Sequence, residues 1–144
     1  MKRLFTITTN QKVVNLWLLI FRVCIAAFML THGVQKLNHL FSGDEIKFVN
    51  FLGMGPTASF ALSTFAEFLC SIFILAGFAA RFASVPLIIN MTVAILVAHS
   101  HDPFKIKELA LIYLLIFITF LIFGAGKYSL DYLLFRGNKN KGSV

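Results

Sequence analysis

Six ionisable side chains interrupt long apolar stretches of this chain: Arg22, His32, Lys36, Glu67, His99 and Glu108. A charge in hydrocarbon is expensive, so such residues turn toward a bundle interior, pair with one another and mark candidate sites. Carboxylates beside amines or imidazoles can hold a proton or hydrogen-bond a carbonyl group. Arg22, Ile25, Met29, His32 and Lys36 step by 3, 4, 3 and 4, which places them on one helix face expected to point inward. Glu67 has Ser63 and Ser71 one turn to either side, and Arg81 lies two heptads further on. At a helical rise of about 1.5 Å per residue, Lys36 and His99 fall near the outer boundary, His32 and Glu108 about 6 Å inward and Glu67 near the midplane. The expectation is a polar track opening outward, with a buried Glu67–Arg22 pair beneath it. At the opposite end, Arg81 and Asp131 are expected to pair as a structural lock.

Each of these residues also has a plainer reading. Glu67–Arg22 can be a tie that fixes packing, Lys36 can snorkel to the interface, and His99 and His101 can be loop residues. Ser63 and Ser71 are expected to bond carbonyls of their own helix. No metal is expected, because nothing has a metal-ligand spacing such as His-Glu-x-x-His. No phosphate loop or catalytic-triad spacing is present.

The elements that must position these residues are membrane helices. The chain is 58% hydrophobic and 13% charged, with 17 Phe in 144 residues. A soluble domain averages about 45–50% apolar and about 25% charged, so most of this surface is expected to face lipid. A span needs roughly 20 mainly apolar residues. Four such runs occur, at about 13–35, 57–80, 83–100 and 104–123. They are too long, and alternate too little, for strands or barrel staves. Backbone groups in lipid must be satisfied within each span, which leaves an all-α bundle of four transmembrane helices. The first run is longer than a signal-peptide core, carries Arg22 and lacks a clear cleavage site, so it reads as a retained anchor.

The connections are short apart from a loop from His39 to Pro56. Arg81-Phe82 is expected to link the second and third helices. Asp102 is the expected N-cap of the fourth, with Pro103 at its first position. Gly124 and Gly126 stop that helix, and Ser129 is expected to cap a short amphipathic turn over Leu130 to Phe135. Residues 1–12 form an N-terminal segment, and 137–144 a basic tail expected to be disordered.

Basic residues set the topology. Lys2, Arg3, Lys12, Arg81, Lys127, Arg136, Lys139 and Lys141 share one side, against Lys36, Lys47, Lys105 and Lys107 on the other. Both termini are therefore expected in the cytoplasm. The net charge of +7 reads as topology and attraction to anionic headgroups, not as nucleic-acid binding. Cys24 and Cys70 both fall within spans at similar expected depth. Neither belongs to a Cys-x-x-Cys pair, which argues against a thiol–disulfide enzyme.

The ordered set of motifs resembles the DoxX family of small four-helix bacterial membrane proteins. The matching pieces are Arg22, His32-Gly33-x-x-Lys36-Leu37, Gly55-Pro56, Glu67, Gly77-x-x-x-Arg81, His99 and Glu108. The last is Gly124-Ala125-Gly126-Lys127-Tyr128-Ser129-Leu130-Asp131, with Lys127 where the family more often has Arg. The resemblance covers about residues 14–135. It implies a bacterial inner-membrane protein, a small subunit or accessory of a quinone-linked redox complex. Its own sequence has no flavin, nicotinamide or iron–sulfur motif, so electrons would need quinone, haem or a partner subunit. On that reading His32 and Lys36 hydrogen-bond a quinone carbonyl, while Glu67 or Glu108 relays protons. Two other functions fit the residues: a non-enzymatic binding or assembly module, and a pathway for a proton or small solute. Phe on all sides of the spans also suggests association, as a homo-oligomer or with other subunits.

Overall fold

The computed structural model describes residues 10–136. Most of the N-terminal segment and all of the basic tail lie outside the described residues. Among the described residues the structure is helical, without strands. Four helices are long and apolar enough to cross a membrane: α1 (Gln11–Phe41), α2 (Pro56–Ala76), α3 (Ala80–Ala98) and α4 (Phe104–Phe123). A short α5 (Leu130–Arg136) follows. The chain is a multi-pass integral membrane protein.

The helices pack in chain order. α1 lies on α2, α2 on α3 and α3 on α4. The ring closes where Phe120 of α4 meets Phe21 of α1 at 5.7 Å between ring centroids, and Tyr113 meets His32 edge-on at 6.5 Å. The core runs through Met29, Ala66, Ile74, Leu87, Phe117 and Phe120, all buried. Outward faces carry Leu16, Trp17, Phe28, Leu69, Phe82 and Leu115. In water that surface would be a liability, whereas in hydrocarbon it costs nothing.

Small residues let the backbones approach. At Gly33 a Cβ would stand 2.7 Å from the backbone carbonyl carbon and oxygen of Glu67 and from Phe68 N. This contact fixes the height of α1 against α2. The link from α2 to α3 is Gly77–Ala79, four residues earlier than the expected Arg81-Phe82. Gly77 is left-handed (φ 69°), and bonds from Gly77 N to Ile74 O and from Phe78 N to Phe73 O close the helix as a Schellman turn. A side chain at 77 would also collide with the Arg22 guanidinium and Ser129.

The segment after α4 folds back and clasps the end of the bundle that bears the chain termini. Arg22 is buried, and donates to Ala125 O (3.1 Å) and Tyr128 O (2.9 Å). Asp131 accepts from Ala79 N (2.8 Å) and Ala80 N (3.3 Å), the unpaired donors at the start of α3. Ser129 Oγ accepts from Tyr132 N and caps α5, as its sequence position suggests. Two expected pairings are therefore corrected. Arg22 does not pair with Glu67. Asp131 does lock the second turn, but through backbone donors; Arg81 instead reaches Ile122 O at 3.2 Å. The start of α4 also moves by one residue: Pro103 is its N-cap and Asp102 accepts from His99 instead.

Arg22→Lys should test the clasp. A point ammonium cannot reproduce a planar fork holding two carbonyls, and about one buried hydrogen bond, roughly 1–3 kcal/mol, is lost. The expected readout is easier detergent-phase unfolding together with faster proteolysis after Gly124. Unchanged proteolysis would show that the clasp does not depend on the guanidinium.

Candidate functional site

Toward the other end of the bundle, α2 and α3 part to leave a cleft of about 520 Å³. Pockets that take small organic ligands span about 300–1,000 Å³. Both walls contain a π-helical turn, Phe65–Cys70 in α2 and Ala94–Ala98 at the end of α3. The second is seen directly in the bond from His99 N to Ala94 O (2.9 Å), five residues back. Such turns insert a residue into a helix, re-aim the side chains around it and are common at functional sites.

The floor is polar. Lys36 Nζ donates to Glu67 Oε1 (2.6 Å) and to Ser63 Oγ (2.7 Å). Asn90 Nδ2 donates to the same carboxylate oxygen at 2.7 Å. The Glu67 side chain is 6% exposed and that of Lys36 25%, so the pair is largely removed from solvent. Glu67 Oε2 is buried without a hydrogen-bond partner. Lys36 has three N–H donors and spends two on these acceptors. Its ammonium also lies 5.5 Å from the centroid of the Phe48 ring, a cation–π contact. The remaining walls are apolar, and include Phe48, Phe51, Leu62, Phe65, Ile89 and Val93.

Three of the six sequence-predicted residues line this cleft: Lys36, Glu67 and His99. His99 lines the loop end of the cleft, with Nδ1 2.6 Å from Asp102 Oδ2. The other three do not. Arg22 belongs to the clasp. His32 is exposed and packs against Tyr113. Glu108 is exposed and does not line the cleft. The error at His32 comes from treating α1 as a 3.5-residue repeat. At 3.6 residues per turn the buried stripe is Arg22, Ile25, Ala26, Met29 and Gly33, and His32 falls about 80° from Arg22 around the helix.

Two contributors were absent from the predicted set. Asn90 carries the same signal, a polar side chain in an apolar run, but without a charge. Ser63 was expected to bond its own helix and instead receives Lys36, while Ser71 Oγ is buried and unpartnered. Cys24 is exposed and Cys70 buried, and both are free thiols. Among the described residues no three His, Cys, Asp or Glu side chains gather as metal ligands would.

Fold and site together define a small four-helix membrane protein with a polar-floored cleft between two of its spans. The family model for DoxX matches residues 17–100, more than half of the chain, and the chain belongs to the DoxX family. The match includes most of α1, all of α2 and α3 and the whole floor of the cleft, and ends before α4. No curated protein and no solved structure matches the chain.

Proposed function

We propose that this protein binds a quinone in the α2–α3 cleft, as a small membrane subunit of a redox complex in the bacterial inner membrane with both termini cytoplasmic. The observation that carries the reading is the Lys36–Glu67–Asn90 constellation at the floor of an apolar cleft, with one carboxylate oxygen still unsatisfied. The orientation rests on the excess of Lys and Arg at the end bearing the termini.

The residues fit a quinone. A flat ring needs apolar walls, and its carbonyl oxygen needs a donor. Lys36 supplies that donor from its unspent N–H, and Ser63 has a hydroxyl hydrogen beside it. A bound quinone accepts two electrons and two protons when it is reduced. A partner subunit supplies the electrons, and this chain binds and orients the ring. Glu67 holds a proton-accepting oxygen next to Lys36, and His99 with Asp102 stands where the cleft meets the loop end.

Asn90→Leu and Ser63→Ala test the reading in lipid nanodiscs. Each keeps the Lys36–Glu67 pair, and each is expected to weaken binding of a benzoquinone about tenfold, the equivalent of about 1.4 kcal/mol. Folded variants with wild-type affinity would remove the site assignment. Variants that lose the fold instead would favour an assembly role for the polar cluster.

A further inference from the structure

We infer that the cleft fills sideways from the bilayer, taking a chain-bearing quinone through the gap between α2 and α3; this rests on the quinone reading above. Leu62 and Phe65 of α2 and Ile89 of α3 line the cleft and are also 52%, 47% and 51% exposed. Half-exposed apolar side chains on both α2 and α3 leave the cleft open along this edge of the two membrane helices. These residues form a rim, and the rim faces lipid.

The polar floor is roofed on its water side. Residues 48–51 of the α1–α2 connection cover the floor, with Phe48 reaching the Lys36 ammonium. Two bonds pin the roof to the start of α2, and a third links their partners there. Phe51 N donates to Ser59 Oγ (3.0 Å), Ser59 Oγ donates to Gly55 O (2.8 Å), and Gly55 N donates to Asn50 Oδ1 (2.8 Å). Ser59 is buried on α2, so the loop is anchored to the wall of the cleft itself.

Polarity is graded from floor to rim. Lys36, Ser63, Glu67 and Asn90 offer hydrogen bonds at the back, whereas Leu62, Phe65 and Ile89 offer only hydrocarbon at the mouth. A ligand matched to that gradient has a polar ring in front and an alkyl or prenyl chain behind it. The chain stays in the rim and the adjoining lipid, where it keeps its apolar surroundings. A ring without a chain leaves the rim unfilled.

The test uses full-length protein in nanodiscs and two probes, a benzoquinone with a decyl chain and the same ring without it. Affinities are expressed against probe concentration in the bilayer, so that partitioning of the chain is not counted as binding. The decyl form is expected to bind at least tenfold more tightly. Ile89→Trp, and independently Leu62→Trp, should narrow the rim and weaken decyl-quinone binding at least tenfold. Phe28→Trp, on an exposed face of α1 away from the cleft, should leave it unchanged. Equal binding of both probes, indifferent to the rim tryptophans, would overturn lateral entry while leaving the quinone reading standing. Failure of both probes to bind wild-type protein would overturn lateral entry and the quinone reading together.

Discussion

Lys36→Met will destabilise the bundle more than any other single change at the cleft. It leaves the Glu67 carboxylate, 6% exposed, with only the Asn90 amide as a donor. Removing one partner of a buried ion pair costs about 3–5 kcal/mol, because the remaining charge stays uncompensated. The double variant Lys36→Met/Glu67→Gln should recover much of that loss. Its neutral amide needs no counter-charge and can still accept from Asn90. Unfolding in mixed micelles, followed by circular dichroism, reads both variants. Equal stability of the single and double variants would mean that Glu67 is not held as a charged partner of Lys36.

The second large effect is expected at Gly33. Even Gly33→Ala places a methyl carbon 2.7 Å from three backbone atoms of Glu67 and Phe68. A flexible side-chain tip could swing aside, but backbone inside a packed helix cannot. α1 and α2 must move apart, and overpacking of this kind typically costs about 1–3 kcal/mol. Gly33→Leu should prevent stable assembly of the bundle. Ala27→Leu, on an exposed face of the same helix, is the matched control and should behave as wild type. Gly33→Ala should also weaken quinone binding, because Lys36 and Glu67 sit on the two helices being separated. Wild-type melting of Gly33→Leu would contradict the close approach itself.

Gly33 also explains why the buried pair differs from the one suggested by the sequence. Hydropathy revealed the four spans, and the cost of charge in lipid singled out Lys36, Glu67 and His99. Neither signal gives the height of one helix against another. With Gly33 level with Glu67, Arg22 lies eleven residues away along α1, about 16 Å at helical rise. Helical side chains lean toward the N-terminus. Lys36, less than one turn beyond Gly33, therefore leans back onto Glu67, while Arg22 leans away from it toward Ala125 and Tyr128. The same limit applied to Arg81. Opposite charges suggested a pair with Asp131, but Ala79 and Ala80 present unpaired N–H groups to that carboxylate at the new helix start.

The shape of the cleft was less legible than its chemistry. The π-helical turns at Phe65–Cys70 and Ala94–Ala98 carry no proline or glycine to announce them. The roof depends on Ser59 and Asn50 bonding across the loop rather than on any periodic pattern. By contrast, Ser129 and the glycines around it were readable, because a cap and a stop act within a few residues of sequence.

The most direct test of the central claim is native mass spectrometry of the protein extracted in mild detergent, with the released small molecules identified. The account predicts one quinone per chain in the wild type, and its loss in the folded Lys36→Met/Glu67→Gln variant. Wild-type protein carrying phospholipid alone, or a variant that retains the same quinone, would contradict it.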